Sequence, residues 1–196
     1  MSLPDGFHDV PAGKLAAVVT HFEMASKTLR GAPLPDRLSF AELPRDVALY
    51  KDLFRRIGAP WLWFGRLVMD EADLRTMLED PKVTLHTLIK DGCPEALLEL
   101  DFRVSGICKL AYFGLTQTLI GIGAGAYLMD QAIEMGFSGA DVACLTLHTC
   151  TFDSPQAFQF YLRSGFRPTH RQVEIADDPR LLGIYPPAHQ ASTPLL

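Results

Sequence analysis

The sequence predicts a mixed α/β fold of the α+β kind, with a central, mostly antiparallel sheet flanked by helices, and three observations carry that expectation. Three extended runs, VTLHTLIK (83–90), ALLELDFR (96–103) and ICKLAYFGL (107–115), are separated only by the turn sequences DGCPE and VSG, the pattern of an antiparallel meander. Helical periodicity stands on both sides of that meander. Between two later helical stretches lies VACLTLHTC (142–150), too apolar throughout to be half-exposed and so expected as a central strand.

Each element has a local cause. Apolar and β-branched residues predict a first strand over 15–28, followed by a Pro/Gly-rich connection through Pro35. Pro44 opens a helix whose apolar stripe is Val47, Tyr50, Leu53, Phe54 and Ile57, and Gly58 with Pro60 stops it. A second helix has Asp70 as N-cap, Leu74, Met77 and Leu78 as its stripe, and Pro81 beyond its end. After the meander, a helix over about 123–135 presents Leu128, Ala132 and Met135 on one face and stops at Gly136. The last helix places Ser154 at the N-cap, Pro155 at N1, Ala157, Phe158, Tyr161 and Leu162 inward, and Gly165 just past its end. A closing strand covers 166–175, and the proline-rich tail 176–196 is expected to be irregular or frayed.

With 196 residues, 48% hydrophobic and 21% charged, the chain is expected to form one domain over 1–196, large enough for a real core. A net charge of −5 without a basic run speaks against a nucleic-acid partner. The N-terminus lacks the basic start and apolar stretch of a secretory signal, and no apolar run is long enough to span a membrane; a cytoplasmic protein is expected. Cys93, Cys108, Cys144 and Cys150 show neither CxxC nor His/Cys ligand spacing, so buried reduced thiols and no metal are expected.

IGIGAGAYL (120–128) stacks Gly121, Gly123 and Gly125 directly before a helix. Glycine pays the largest backbone entropy on folding, so this density points to φ > 0 or to close approach by a ligand, a phosphate first of all. Gly121-x-Gly123-x-x-Ala126 has the spacing of a dinucleotide fingerprint, but three meander strands precede it and no carboxylate ends the next strand. The absence of a following Gly-Lys-Ser/Thr excludes a nucleoside-triphosphate loop. A pyrophosphate on a free helix N-terminus remains, and coenzyme A carries one.

On these residues the chain resembles the GNAT superfamily of acetyl-CoA-dependent N-acetyltransferases, whose loop reads Q/R-x-x-G-x-G/A. Gly123 and Gly125 match its glycines, while Ile120 holds the Q/R position. SPQAFQFYLRSGFRP (154–168) is similar to the family's N-x-x-A-x-x-F/L-Y-x-x-x-G-F segment, with Ser154 for Asn. The resemblance covers roughly 15–175 and implies the GNAT-type acyltransferase fold there, with direct acetyl transfer to an amine of unread identity, a small molecule or a protein.

It further implies acetyl-CoA as co-substrate, with CoA as product. The implied contacts come from the strand end (Phe113, Gly114, Leu115), from the loop and first helical turn (Ile120, Gly121, Ile122, Gly123, Ala124, Gly125, Ala126) and from the last helix (Ser154, Ala157, Tyr161). Tyr161 is the implied general acid for the departing thiolate. Lys109 stands where many members carry a Glu base, which leaves Glu99, Asp101 and His148 as alternatives. WLWF (61–64) is either core or an acceptor wall. A second copy of the chain is a further candidate partner. Two rival readings are a non-catalytic acyl-CoA sensor, suggested by Lys109, Ile120 and Ser154, and, more distantly, a nicotinamide-dependent oxidoreductase.

Overall fold

In a computed structural model, which describes residues 4–139, 141–189 and 194–195, the two periodicities of the sequence resolve into one sheet with helices on both faces. The strands are β1 (Lys14–Met24), β2 (Leu38–Glu42), β3 (Val83–Lys90), β4 (Cys93–Pro94), β5 (Ala96–Asp101), β6 (Ile107–Leu115), β7 (Cys144–Cys150) and β8 (Arg167–Asp177). The helices are α1 (Val47–Gly58), α2 (Glu71–Glu79), α3 (Ala124–Gly136) and α4 (Ala157–Arg163). Sheet order is β2-β3-β5-β6-β7-β1-β8, with β4 paired to β3, and only β6 and β7 run parallel.

Strand β5 shows how the layers form. Leu98 and Leu100 face α3 together with Cys108, Leu110, Leu145 and Leu147; Leu97 faces α1 and α2 together with Val83 and Leu85. All of these are fully or nearly fully buried, and each large aliphatic chain contributes about 1.5–3 kcal/mol relative to exposure. Glu99 shares the face of Leu97, so alternation drives a carboxylate into the core beneath α1.

Two features of the sheet position the site. The first is a bulge in β6: Glu99 pairs with Tyr112 but Leu100 with Leu110, leaving Ala111 unpaired. The bulge flips the pleat, so Cys108 and Leu110 before it and Phe113 and Leu115 after it all pack toward α3. Lys109 therefore shares its face with Tyr112, not with Phe113 as strict alternation predicts. The second is the short pairing of β6 with β7, which covers only Ile107–Lys109 against Cys144–Thr146. Beyond it the parallel strands splay, in step with the extra twist a bulge imparts.

The structure corrects several boundaries. The first strand ends at Met24, and its place between β7 and β8 sends residues 25–37 across the α3–α4 layer. Asp130 of α3 holds this crossover by accepting from Arg30 N (3.0 Å) and Ala32 N (2.8 Å). β2 and β4 have no counterpart in the expected elements: one is a five-residue edge strand and the other a two-residue pairing, too short for a periodic signal. β7 is central, yet His148 on it is exposed, because the splay opens one of its faces. α4 begins at Ala157 rather than at Ser154, whose Oγ contacts Gln156 and whose carbonyl accepts from Ala157 N. Phe158 is exposed, edge-on to Phe22, and Cys93 is exposed on β4. The stretch after Asp177 is irregular but anchored, with Asp178, Arg180 and Tyr185 buried.

Candidate active site

The glycine loop leaves backbone donors free. Gly121 (φ +82°) and Gly123 (φ +89°) adopt left-handed conformations that L side chains rarely take, and Gly123 caps α3 without any side-chain bond. Among the described residues, none of the N–H groups from Gly121 through Gly125 donates to a protein acceptor, whereas the next two, Ala126 and Tyr127, both bond to Gly123 O. A run of unpartnered amides at the positive end of a thirteen-residue helix has the donor arrangement that anion binding requires. Ile120 and Ile122 point outward, 57% and 47% exposed, and supply no charge there. Gly125 lies in the first turn of α3; a Cβ on it would sit 3.4 Å from Leu115 Cδ1.

Beside the splay lies a cavity of about 180 Å³ whose lining draws on both faces of the sheet. Its walls come from β1 (Leu15, Ala17), the turn after α1 (Trp61–Gly65), β6 (Leu110–Phe113), β7 and its exit (His148–Asp153), α4 (Tyr161) and β8 (Glu174, Ala176). That volume lies below the roughly 300 Å³ lower end of drug-sized ligand pockets, which suits a compact molecule.

All four residues of WLWF line the cavity. After α1 a short 3-10 turn ends at Leu62, whose left-handed backbone (φ +53°) folds the chain back and presents Trp63 to the sheet. The indole fits because two facing positions carry no side chain: a Cβ at Gly58 would lie 2.7 Å from Trp63 Cγ, and one at Gly114 would lie 3.0 Å from Trp63 Cη2 and overlap Ile57. Trp63 Nε1 donates to Asp153 Oδ1 (2.9 Å), and Tyr185 Oη donates to Trp63 O (2.7 Å), so both sides of the turn are fastened.

Tyr161 is buried among Phe22, Phe160 and Phe166, and burial pushes its phenol well above the ordinary value. Its hydroxyl has no hydrogen-bond partner among the described residues, so a proton is held on an oxygen for which no protein group competes. His148 is displaced the other way. Desolvation first, then the electrostatic influence of Lys109 and of the neighbouring His21, lower its pKa, which leaves the imidazole neutral at pH 7. His148 lies two residues beyond the last position at which β7 pairs with β6, on the splayed part of the strand. The cavity-wall thiol, Cys150, is pushed up to about 12 by burial and by Asp153, so it carries essentially no thiolate at neutral pH.

The other two candidate bases do not line the cavity. Glu99 is fully buried and accepts from Tyr50 Oη and Arg66 Nη2. Arg66 also lies over the Tyr112 ring, 5.0 Å from its centroid, so this cluster ties the end of the aromatic turn to the sheet. Asp101, at the end of β5, is held low by hydrogen bonds from Arg103 (2.7–3.1 Å). Of the expected cofactor contacts, Phe113, Gly114 and Leu115 follow the bulge on the splayed strand, and Ala157 packs beside Tyr161. Ser154 lies in the turn before α4, bonded to Gln156. Sequence reasoning missed Asp153, Glu174, Leu15, Ala17 and Phe152; they carry no shared motif and meet only through the pairing of β1 with β7 and β8.

Among the described residues no helix is long and apolar enough to cross a membrane, and no group of three or more His, Cys, Asp or Glu is placed to hold a metal ion. No family model matches the chain, and no curated protein matches it. Solved structures do. A GCN5-related N-acetyltransferase from Sphaerobacter thermophilus superposes with a TM-score of 0.58 at 15% identity over 82% of this chain and 51% of its own. One from Kribbella flavida gives 0.56 at 16% over 87% and 63%. A tandem GNAT protein from the clavulanic acid biosynthesis pathway gives 0.58 at 13% over 87% and 55%. The chain thus spans 51–63% of the length of these structures. At such identities the likeness is one of architecture, and the fold of this chain is that of the GCN5-related N-acetyltransferases.

Proposed function

We propose that the chain is an N-acetyltransferase that moves an acetyl group from acetyl-CoA directly to an amine. The observation that carries the reading is the unpartnered amide run from Gly121 to Gly125, which fits a pyrophosphate and opens onto a splayed strand pair leading to a cavity. Bound there, the thioester supplies the electrophilic acyl carbon; the chain supplies position and protons. The β7-facing edge of β6 beyond the bulge, at Ala111 to Leu115, is the edge along which a pantetheine arm would lie. Neutral His148 takes the proton that the amine must lose, as the C–N bond forms and the C–S bond breaks. Tyr161 gives its proton to the departing sulfur and is restored from solvent. The high pKa of the Cys150 thiol favours direct transfer over an acyl-enzyme on this wall.

The test is thiol release from acetyl-CoA across a panel of amines, with acetyl-CoA affinity measured separately. Amine-dependent release together with acetylated product supports the reading. Tight acetyl-CoA binding without turnover on any amine supports the sensor alternative, and stabilisation by NAD in place of acetyl-CoA supports the oxidoreductase.

A further inference from the structure

The chemistry of the cavity wall narrows the acceptor, an inference that rests on the acetyl-transfer reading. No Lys or Arg lines the cavity, and two carboxylates do. Asp153 is committed: its Oδ1 accepts from Trp63 Nε1 (2.9 Å), and its Oδ2 accepts from Thr149 Oγ1 (2.7 Å) and Cys150 N (2.8 Å). The Glu174 carboxylate has no hydrogen bond or ion pair among the described residues, although it lines the same cavity as Tyr112 and Cys150 and raises the pKa of both.

The register places Glu174 relative to the base. Ala17 of β1 pairs with Glu174, and His21 of β1 pairs with His148, so both groups rise from one face of the sheet. They are separated by four residues along β1 and two strand spacings across it, roughly 13 Å by 10 Å at 3.3 Å per residue and 4.8 Å per strand. One amine nitrogen does not reach both. The same cavity is lined by the aromatic side chains of Trp63, Phe64, Tyr112 and Phe152, a wall that accepts hydrocarbon and attracts a cation but leaves hydroxyl groups unpaired.

We propose that the acceptor is a slender amine carrying a second cation at its far end, an α,ω-diamine in the simplest case. Its reactive amine lies beside His148 and the acyl carbon, its hydrocarbon stem runs along the aromatic wall, and its remote ammonium pairs with Glu174. A free amino acid fits poorly, because its carboxylate enters a wall that offers carboxylates and no cation. An aminoglycoside exceeds the cavity and loses hydrogen bonds from its hydroxyls against the aromatic rings.

The experiment measures kcat/KM for a series of α,ω-diamines of increasing length, for n-alkylamines of matched length, for an aminoglycoside and for a lysine peptide. Acetyl-CoA affinity is measured by calorimetry on the same protein. The expected result is a length optimum among the diamines, with the best diamine at least about tenfold ahead of its matched monoamine. Glu174→Gln is expected to raise the diamine KM by about 10- to 100-fold, the scale of a charge-assisted contact, with kcat, the monoamine KM and acetyl-CoA affinity little changed. Glu174→Asp is expected to recover part of the loss. Matched monoamines acetylated as well as diamines, or a peptide or aminoglycoside preferred to both while acetyl-CoA binds normally, overturns the acceptor assignment and leaves acetyl transfer standing. Failure of acetyl-CoA to bind overturns both.

Discussion

The glycine loop at the end of β6 and the aromatic chamber beside β6 adjoin the same strand, yet one is made of backbone and the other of side chains. The loop needs φ angles of +82° and +89° and amides without acceptors, conditions that neighbouring residues impose within a few positions of one another. The chamber collects Leu15, Trp63, Tyr112, His148 and Glu174, which are far apart in sequence and meet only once β1 has inserted between β7 and β8. A backbone site is therefore written locally, and a side-chain site is written in the topology.

Breaking each region tests that difference. The largest effect is expected from Arg66→Ala, which leaves the buried Glu99 carboxylate with Tyr50 alone; loss of one partner of a buried pair costs about 3–5 kcal/mol of stability. Urea denaturation reads this as a lower midpoint at unchanged slope, and a loss below about 1 kcal/mol contradicts the anchoring role. On the backbone side, Gly123→Val forces a branched residue into the left-handed region and disturbs the amide cradle, so acetyl-CoA affinity is expected to fall about 100-fold or more while the fold persists.

Two substitutions separate proton handling from binding. Tyr161→Phe removes a hydroxyl with no protein partner, so stability and acetyl-CoA affinity are expected to hold while single-turnover kcat drops about 10²-fold. Unchanged single-turnover chemistry would move Tyr161 into the core-packing role its aromatic neighbours also suit. His148→Gln is expected to lower kcat by a similar factor, about 10² at pH 7. In the proposed reaction the base must be neutral, so wild-type activity is expected to be flat near neutrality and to decline on acidification through a pKa below the ordinary 6.5 of His. That acidic limb disappears in His148→Gln; its persistence would assign the limb to another group.

The smallest effect belongs to Lys109. Its ammonium is exposed, and no thiol-release defect beyond about twofold is expected for Lys109→Ala at pH 7. Removing its charge lets the His148 pKa rise, so the acidic limb moves toward neutral pH. Loss of activity at pH 7 with the fold and acetyl-CoA affinity intact contradicts this and gives Lys109 a direct part in the reaction.

Sequence alone made the helices and the meander legible because their causes are local: apolar stripes in α1 and α2, Asp70 as N-cap, turns between β3, β5 and β6. The glycine density likewise announced the positive φ found at Gly121 and Gly123, and Tyr161, singled out by the resemblance, lines the cavity. Strand order lay outside its reach, since a turn specifies only which neighbours pair, and the partners of β1 lie more than a hundred residues away. The bulge at Ala111 shows a subtler limit. One unpaired residue reversed the face expected of Phe113 relative to Lys109, and nothing in ICKLAYFGL marks it. Glu99 illustrates the same limit: its alternation was visible, but its capture by Tyr50 and Arg66 required the packing of α1 and the turn that follows it.

The central claim is that the amides of Gly121 to Gly125 bind the pyrophosphate of acetyl-CoA, and calorimetric titration with acetyl-CoA and with acetyl-pantetheine tests it most directly. The two ligands share the thioester and differ by the pyrophosphate and the nucleotide. Acetyl-CoA is expected to bind at least about tenfold more tightly, and Gly123→Val to remove most of the difference. Equal affinity for the two ligands, or a Gly123→Val protein that is folded and still distinguishes them as the wild type does, contradicts it.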